Sequence, residues 1–202
     1  MKTKIKICGI RREEDIKIVN KYKPDYIGFI FAKSKRQVSM NKAYSLVKLL
    51  DKNIKRVGVF VNSSADEINK ISKTCELDIV QLHGDEDNEF IEKINLPVWK
   101  AIRVSSKEDL VKANDYNCER ILFDSFSLEE YGGTGESFDW SYLRGKSSDY
   151  IIAGGINEDN VGLLITKYSP YLVDVSSSIE TDGYKDENKI RKLIEKVREC
   201  NE

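Results

Sequence analysis

The chain of 202 residues carries one histidine, His83. That scarcity excludes a catalytic metal centre built on two or three imidazoles; a carboxylate-only magnesium site would survive it, but no metal is expected. Cysteine is sparse as well. Cys8, Cys75, Cys118 and Cys200 are scattered without a CxxC pair, which excludes a zinc knuckle and a dithiol redox motif and leaves four reduced thiols. An excess of one charge sign is missing too: 33 basic against 34 acidic residues give a net charge of −1, with no bulk attraction toward nucleic acid or an anionic membrane. An anionic ligand must therefore be held by local groups. No apolar run approaches membrane-spanning length, and Met1-Lys2-Thr3-Lys4 leads directly into a strand with no apolar signal region. These absences predict a cytoplasmic protein with neither a nucleic-acid nor a membrane partner.

What is present is an alternation of short β-rich runs with helical periodicity. Strands are expected over residues 3–8, 25–31, 55–61, 78–83, 98–104, 120–124, 150–154 and 171–176. Helix-like stretches lie between them at 41–51, 64–75, 106–116 and 157–168, and a last one at 186–200 places Ile190, Leu193, Ile194 and Val197 on one face. The three prolines, Pro24, Pro97 and Pro170, each stand just before a strand, where a missing N–H costs little. With no linker, low-complexity segment or repeat, residues 1–202 are expected to form one domain. Eight β/α units in this length suit a parallel eight-stranded β/α barrel of the TIM type better than an open doubly wound sheet. In such a barrel the chemistry sits at the C-terminal ends of the strands, so Cys8, His83, Arg103, Asp124, Gly154 and Ser176 would ring one mouth.

Several motifs carry chemistry there, each with a plainer alternative. In YIIAGGINEDNV a strand, the Gly154-Gly155 turn and a helix capped by Asn157 could offer backbone N–H groups to a phosphate, or could simply be a tight turn. YLVDVSSSIE places Ser176, Ser177 and Ser178 after strand eight, and the loops after strands seven and eight are the recurrent phosphate site of these barrels. Asp124 ends ILFD where burial favours a neutral acid, yet an aspartate turn or helix cap is the ordinary reading. Cys8 is either an apolar filler or a thiol placed to take a proton. His83 is a site donor or a rim residue, and Arg36 a carboxylate fork or a solvated charge beside Lys33 and Lys35. Two nucleotide motifs fail. GGTG at 132–135 lacks the third glycine of GxGxxG, and the first glycine of a Walker motif is absent before Gly145-Lys146, where Trp140 and Ser141 stand.

Taken in order, KICGI, GFIFAKSKR, VGVFVN, VQLHGDE, KAIRV, LFDS, GGTGESFDW, AGGINEDNV, VDVSSSIE and GYKD resemble the motif series of the phosphoribosylanthranilate isomerases over essentially the whole chain. The resemblance implies an Amadori rearrangement of a phosphorylated small molecule in tryptophan biosynthesis, without a cofactor. It implies Asp124 as the general acid that opens the ribose ring and Cys8 as the general base at the second sugar carbon. It further implies Arg36 on the anthranilate carboxylate, His83 in the substrate site, and a phosphate cradle made by Gly154, Gly155 and Ser176 to Ser178. A monomer or homodimer is expected. The chain departs from the family pattern at Ser178, usually glycine, and at Asp182, commonly proline. If position 178 needs a positive φ, serine there is strained. Rival readings are a sugar-phosphate epimerase, for which one histidine is too few, the related histidine-pathway isomerase, which would want aspartate at position 8, and a non-catalytic phosphate-metabolite binder.

Overall fold

The computed structural model describes residues 2–125, 138–145 and 148–202. The chain first forms β1 (Lys4–Cys8), α1 (Glu13–Tyr22), β2 (Tyr26–Ile30), α2 (Met40–Val47), β3 (Lys55–Phe60), α3 (Ala65–Thr74), β4 (Ile79–Leu82), α4 (Asn88–Ile91), β5 (Val98–Val104) and α5 (Lys107–Lys112). It continues with β6 (Arg120–Ser125), β7 (Tyr150–Ile152), α6 (Glu158–Tyr168), β8 (Leu172–Val175), the short hairpin strands β9 (Glu180–Thr181) and β10 (Tyr184–Lys185), and α7 (Glu187–Glu199). The strands β1 to β8 form a closed barrel in chain order. The GGTG turn and Lys146 fall outside the described residues.

All eight strands lie where β-branched and aromatic runs predict them, and the helices begin where a side chain takes over unpaired N–H groups. Asn157 caps α6 through Asp159 and Asn160, and Asp186 caps α7 through Asn188 and Lys189. α4 adds a short helix to those expected from periodicity, and so does α1. The start of α1 is organised by buried Asp15, whose carboxylate accepts from the backbone N–H of Arg11 and Arg12 and pairs with the Arg12 side chain at 2.8 Å.

The contacts divide the chain into two compact units. The first comprises Met1–Lys6, Ile102–Asp115 and Ile121–Glu202. Within it β6, β7 and β8 pair in parallel, and Phe123 meets Tyr150 edge to face at 5.8 Å. On β1 the alternation sends Ile5 to one face and Lys4 and Lys6 to the other. Lys6 has no exposed surface, and its ammonium pairs with Asp174 on β8 at 2.7 Å. The second unit comprises Ile7–Ala101 and Tyr116–Arg120. Here β2, β3, β4 and β5 pair in parallel over a core in which Trp99 packs on Tyr26 and Phe60 stacks on Phe31.

Candidate functional site

In the second unit, β1 ends at Cys8, which is 7 % exposed. Gly9 follows with a φ of 83°, a left-handed conformation that lets the chain leave the strand at once, while the N–H groups of Gly9 and Ile10 both reach the Gly28 carbonyl. Two of the other cysteines are held as neutral thiols by burial. Burial pushes the Cys75 thiol up to about 11 and raises that of Cys118.

Arg36 lies in the turn after β2. Its N–H is held by Ser34 Oγ, Gln37 Nε2 donates to the Phe31 carbonyl, and the N–H of Val38 returns to Ile30. Arg11 donates to the Lys35 carbonyl, so neutral hydrogen bonds and one guanidinium tie the loop to the strand ends.

His83 follows β4, and its N–H continues the ladder to the Phe60 carbonyl. The turn behind it is fastened by charge. Glu86 is buried, accepts the N–H of Asn62 on one oxygen and that of Gly84 on the other, and pairs with buried Lys100 at 2.9 Å. Lys100 also donates to the Gly84 carbonyl at 2.6 Å. A side chain on Gly84 would collide with Asn62, which itself stands at a φ of 52°. Neither Glu86 nor Lys100 is legible as a site residue in the sequence, because only the folded turn joins them. The one available signal is a lysine inside the strand run VWKAIRV.

In the first unit, Asp124 is 5 % exposed near the end of β6, and its Oδ1 accepts the N–H of Ser125. Ser125 Oγ in turn accepts the N–H of Phe138. The turn after β7 rests directly on this pair. A Cβ on Gly154 would stand 2.2 Å from Ser125 Oγ and 2.7 Å from Asp124 Oδ1, and Gly154 and Gly155 have φ of 81° and 63°. Two successive left-handed residues and a missing side chain thus place the backbone of the expected phosphate turn against the expected acid. Asn160 Nδ2 fixes its far side through the Gly155 carbonyl.

After β8, Ser176 leads into a single 3-10 turn at Ser177–Ile179. Ser178 is not among the residues with positive φ, so the strain considered for serine at this position is absent. Its Oγ is buried with no hydrogen-bond partner among the described residues. The Ser176 carbonyl accepts from the buried ammonium of Lys185 at 2.9 Å, which also pairs with Glu180 at 2.8 Å. The left-handed conformation falls instead at Asp182, φ 51°, beside Gly183, φ 75°, which suits a two-residue hairpin joining β9 and β10. Proline, fixed near −65°, could not take that backbone.

Among the described residues no cluster of three or more histidine, cysteine, aspartate or glutamate side chains could hold a metal ion. None of their helices is long and apolar enough to cross a membrane. A surface groove of about 480 Å3 lined by Trp140, Leu163 and Tyr168 contains none of the expected site residues.

Residues 5–196 match the family model described as N-(5'phosphoribosyl)anthranilate (PRA) isomerase. The chain is 52% identical over 201 residues to the N-(5'-phosphoribosyl)anthranilate isomerase of Clostridium acetobutylicum, covering 96% of this chain and 98% of the relative. It is 51% identical over 198 residues to that of a Thermoanaerobacter species, with the same coverage. Among solved structures, phosphoribosyl anthranilate isomerase from Thermotoga maritima superposes with a TM-score of 0.89 at 34% identity, covering 98% of this chain and 99% of that one. A further structure of this name, in complex with reduced 1-(O-carboxyphenylamino)-1-deoxyribulose 5-phosphate, gives 0.83 at 33% identity, again covering 98% and 99%.

Proposed function

The chain belongs to the N-(5'-phosphoribosyl)anthranilate isomerase family, and from that premise we propose how its residues divide the work. The protein is an isomerase of tryptophan biosynthesis that converts N-(5'-phosphoribosyl)anthranilate to the open-chain aminoketone phosphate. Family membership sets aside the epimerase and the non-catalytic binder.

Asp124 is the general acid. It gives its proton to the ribose ring oxygen as the bond from that oxygen to the first sugar carbon breaks, leaving a Schiff base between that carbon and the anthranilate nitrogen. Cys8 is the general base. Its thiolate takes the proton from the second sugar carbon, the electron pair moves toward the Schiff base, and the resulting enol becomes the ketone as its hydroxyl loses a proton and the first sugar carbon gains one. Hydrogen moves within one molecule, so the rearrangement balances without an oxidant, reductant or cofactor. Arg36 pairs with the anthranilate carboxylate, His83 contributes a substrate contact, and the backbone of Gly154, Gly155 and Ser176 to Ser178 cradles the phosphate. We read residues 1–202 as one catalytic domain, monomeric or homodimeric and cytoplasmic. A structure of monomers made from a dimeric relative, and four cysteines that form no disulfide, support that reading.

The observation carrying the acid and base assignment is that Cys8 and Asp124 are each buried at the C-terminal end of a strand in a parallel barrel, where such folds do their chemistry. Cys8→Ala and Asp124→Asn should each lower kcat by roughly a hundredfold to ten-thousandfold with an unchanged circular dichroism spectrum. The assay follows loss of anthranilate-type fluorescence from freshly generated substrate. Near-normal turnover in either folded variant would remove that residue from its role. Arg36→Ala should mainly raise KM, with lysine only a partial rescue because an ammonium cannot form the two-pronged contact.

A further inference from the structure

We propose that Gln81 is a positioning residue that sets the tautomer of His83, so that the ring presents Nε2–H as a neutral donor toward an oxygen of the substrate. This rests on the reading of His83 as a substrate contact. Gln81 lies within β4, 2 % exposed, in a strand whose other residues are Ile79, Val80 and Leu82. An amide among aliphatic neighbours loses its hydration on folding and must be compensated by hydrogen bonds. His83 stands two residues further on, so the two side chains emerge on the same face. The Gln81 amide nitrogen is 3.1 Å from His83 Nδ1.

That nitrogen carries hydrogens and no acceptor lone pair, so Nδ1 must accept, and a neutral ring then holds its proton on Nε2. A ring protonated on Nδ1 would set N–H against NH2. The backbone beneath the ring is anchored independently, by the His83 N–H on the Phe60 carbonyl and by Lys100 on the Gly84 carbonyl. The contact with Gln81 bears on which ring nitrogen carries the proton. The outcome suits the chemistry: a neutral donor can bind a substrate oxygen without adding a second cation beside Arg36's proposed carboxylate contact.

The experiment uses the fact that the chain holds one histidine, so 15N-histidine labelling reports on His83 alone. In the wild-type protein at neutral pH the spectrum should show a pyridine-type Nδ1 and a pyrrole-type Nε2, with and without a reduced product analogue. Gln81→Met, close in shape, should give a mixture of tautomers, and Gln81→Glu, which offers only acceptors, should move the proton to Nδ1. In the folded variants kcat/KM should fall by about tenfold. His83→Gln, which can place an amide N–H near the position of Nε2, should retain more activity than His83→Asn. A wild-type proton on Nδ1, or an unchanged pattern in Gln81→Met, would overturn the proposal. Normal kcat and KM in His83→Ala would instead overturn the substrate role of His83, while the spectra would still decide what Gln81 does.

Discussion

The turn after β4 and the turn after β7 both present residues of the proposed site, and they are held in place by opposite means. The first is fastened by buried charge: Glu86 gathers the N–H groups of Asn62 and Gly84, and Lys100 neutralises it. The second is fastened by absence, since Gly154 has no side chain where Ser125 and Asp124 press against it. A charge lock depends on keeping both partners, because a buried ion without its counterion is far costlier than the intact pair is favourable. A steric lock depends on one atom never being added.

The largest test of that contrast removes one charge. Lys100→Met fills much of the same space but leaves Glu86 buried without a cation, and should cost about 3–5 kcal/mol in urea unfolding. The double variant Lys100→Met, Glu86→Leu should recover part of that loss while leaving the Asn62 and Gly84 N–H groups without their acceptor. A single variant as stable as wild type would show that the pair does not lock the turn.

Adding a methyl group tests the other turn. Gly154→Ala must accommodate a carbon overlapping Ser125 Oγ, at a φ that alone disfavours it by about 1 kcal/mol. Overpacking adds roughly 1–3 kcal/mol. Because the clash lies on Asp124 and Ser125, kcat should fall along with stability; wild-type kcat would uncouple the turn from the acid.

Acid sharpens the comparison at a third position. The turn after β5 is also held by charge, with Asp109 accepting the N–H groups of Ser105 and Ser106 and pairing with Lys112. Burial pushes the Asp109 pKa up, but hydrogen bonds from Lys112, Ser105 and the backbone of Ser105 and Ser106 outweigh it, and the carboxyl is held well below its usual range. A depressed folded value means that its contribution is complete above the unfolded pKa of about 3.9 and is lost as pH falls toward the folded value. Asp109→Asn should cost about 1–2 kcal/mol at neutral pH. Its stability should approach that of wild type in acid; a constant gap from pH 7 to pH 2 would remove the charge from the explanation.

The smallest effect concerns Ser178. Since its backbone is not left-handed, Ser178→Gly gains nothing from relieved strain and adds chain entropy. Ser178→Ala instead removes a buried hydroxyl without a partner among the described residues and should raise stability by about 1 kcal/mol. A loss of that size would mean that the hydroxyl is satisfied after all.

The contrast also explains what could be read from the chain alone. Strand ends were legible because β-branched runs stop at Cys8, His83 and Asp124, and the helix starts at Asn157 and Asp186 because capping is local. Gly154-Gly155 was legible as a turn since only glycine accepts that backbone cheaply. The charged lock was not, because Lys100 and Glu86 meet only through the pairing of β4 with β5. Ser178 and Asp182 show the converse. A departure from a family pattern was visible in each, but which one carried the unusual backbone depended on a hairpin two residues long at each edge.

Lys185 gives the loop after β8 a fixed peptide dipole. The peptide joining Ser176 to Ser177 is planar and trans, so a carbonyl turned toward a buried ammonium turns the N–H of Ser177 the opposite way. That peptide dipole is held in its orientation by a cation that Glu180 keeps in place. An anion reaching the N–H side would meet a dipole that does not have to rotate, and the reorganisation energy of binding would have been met during folding.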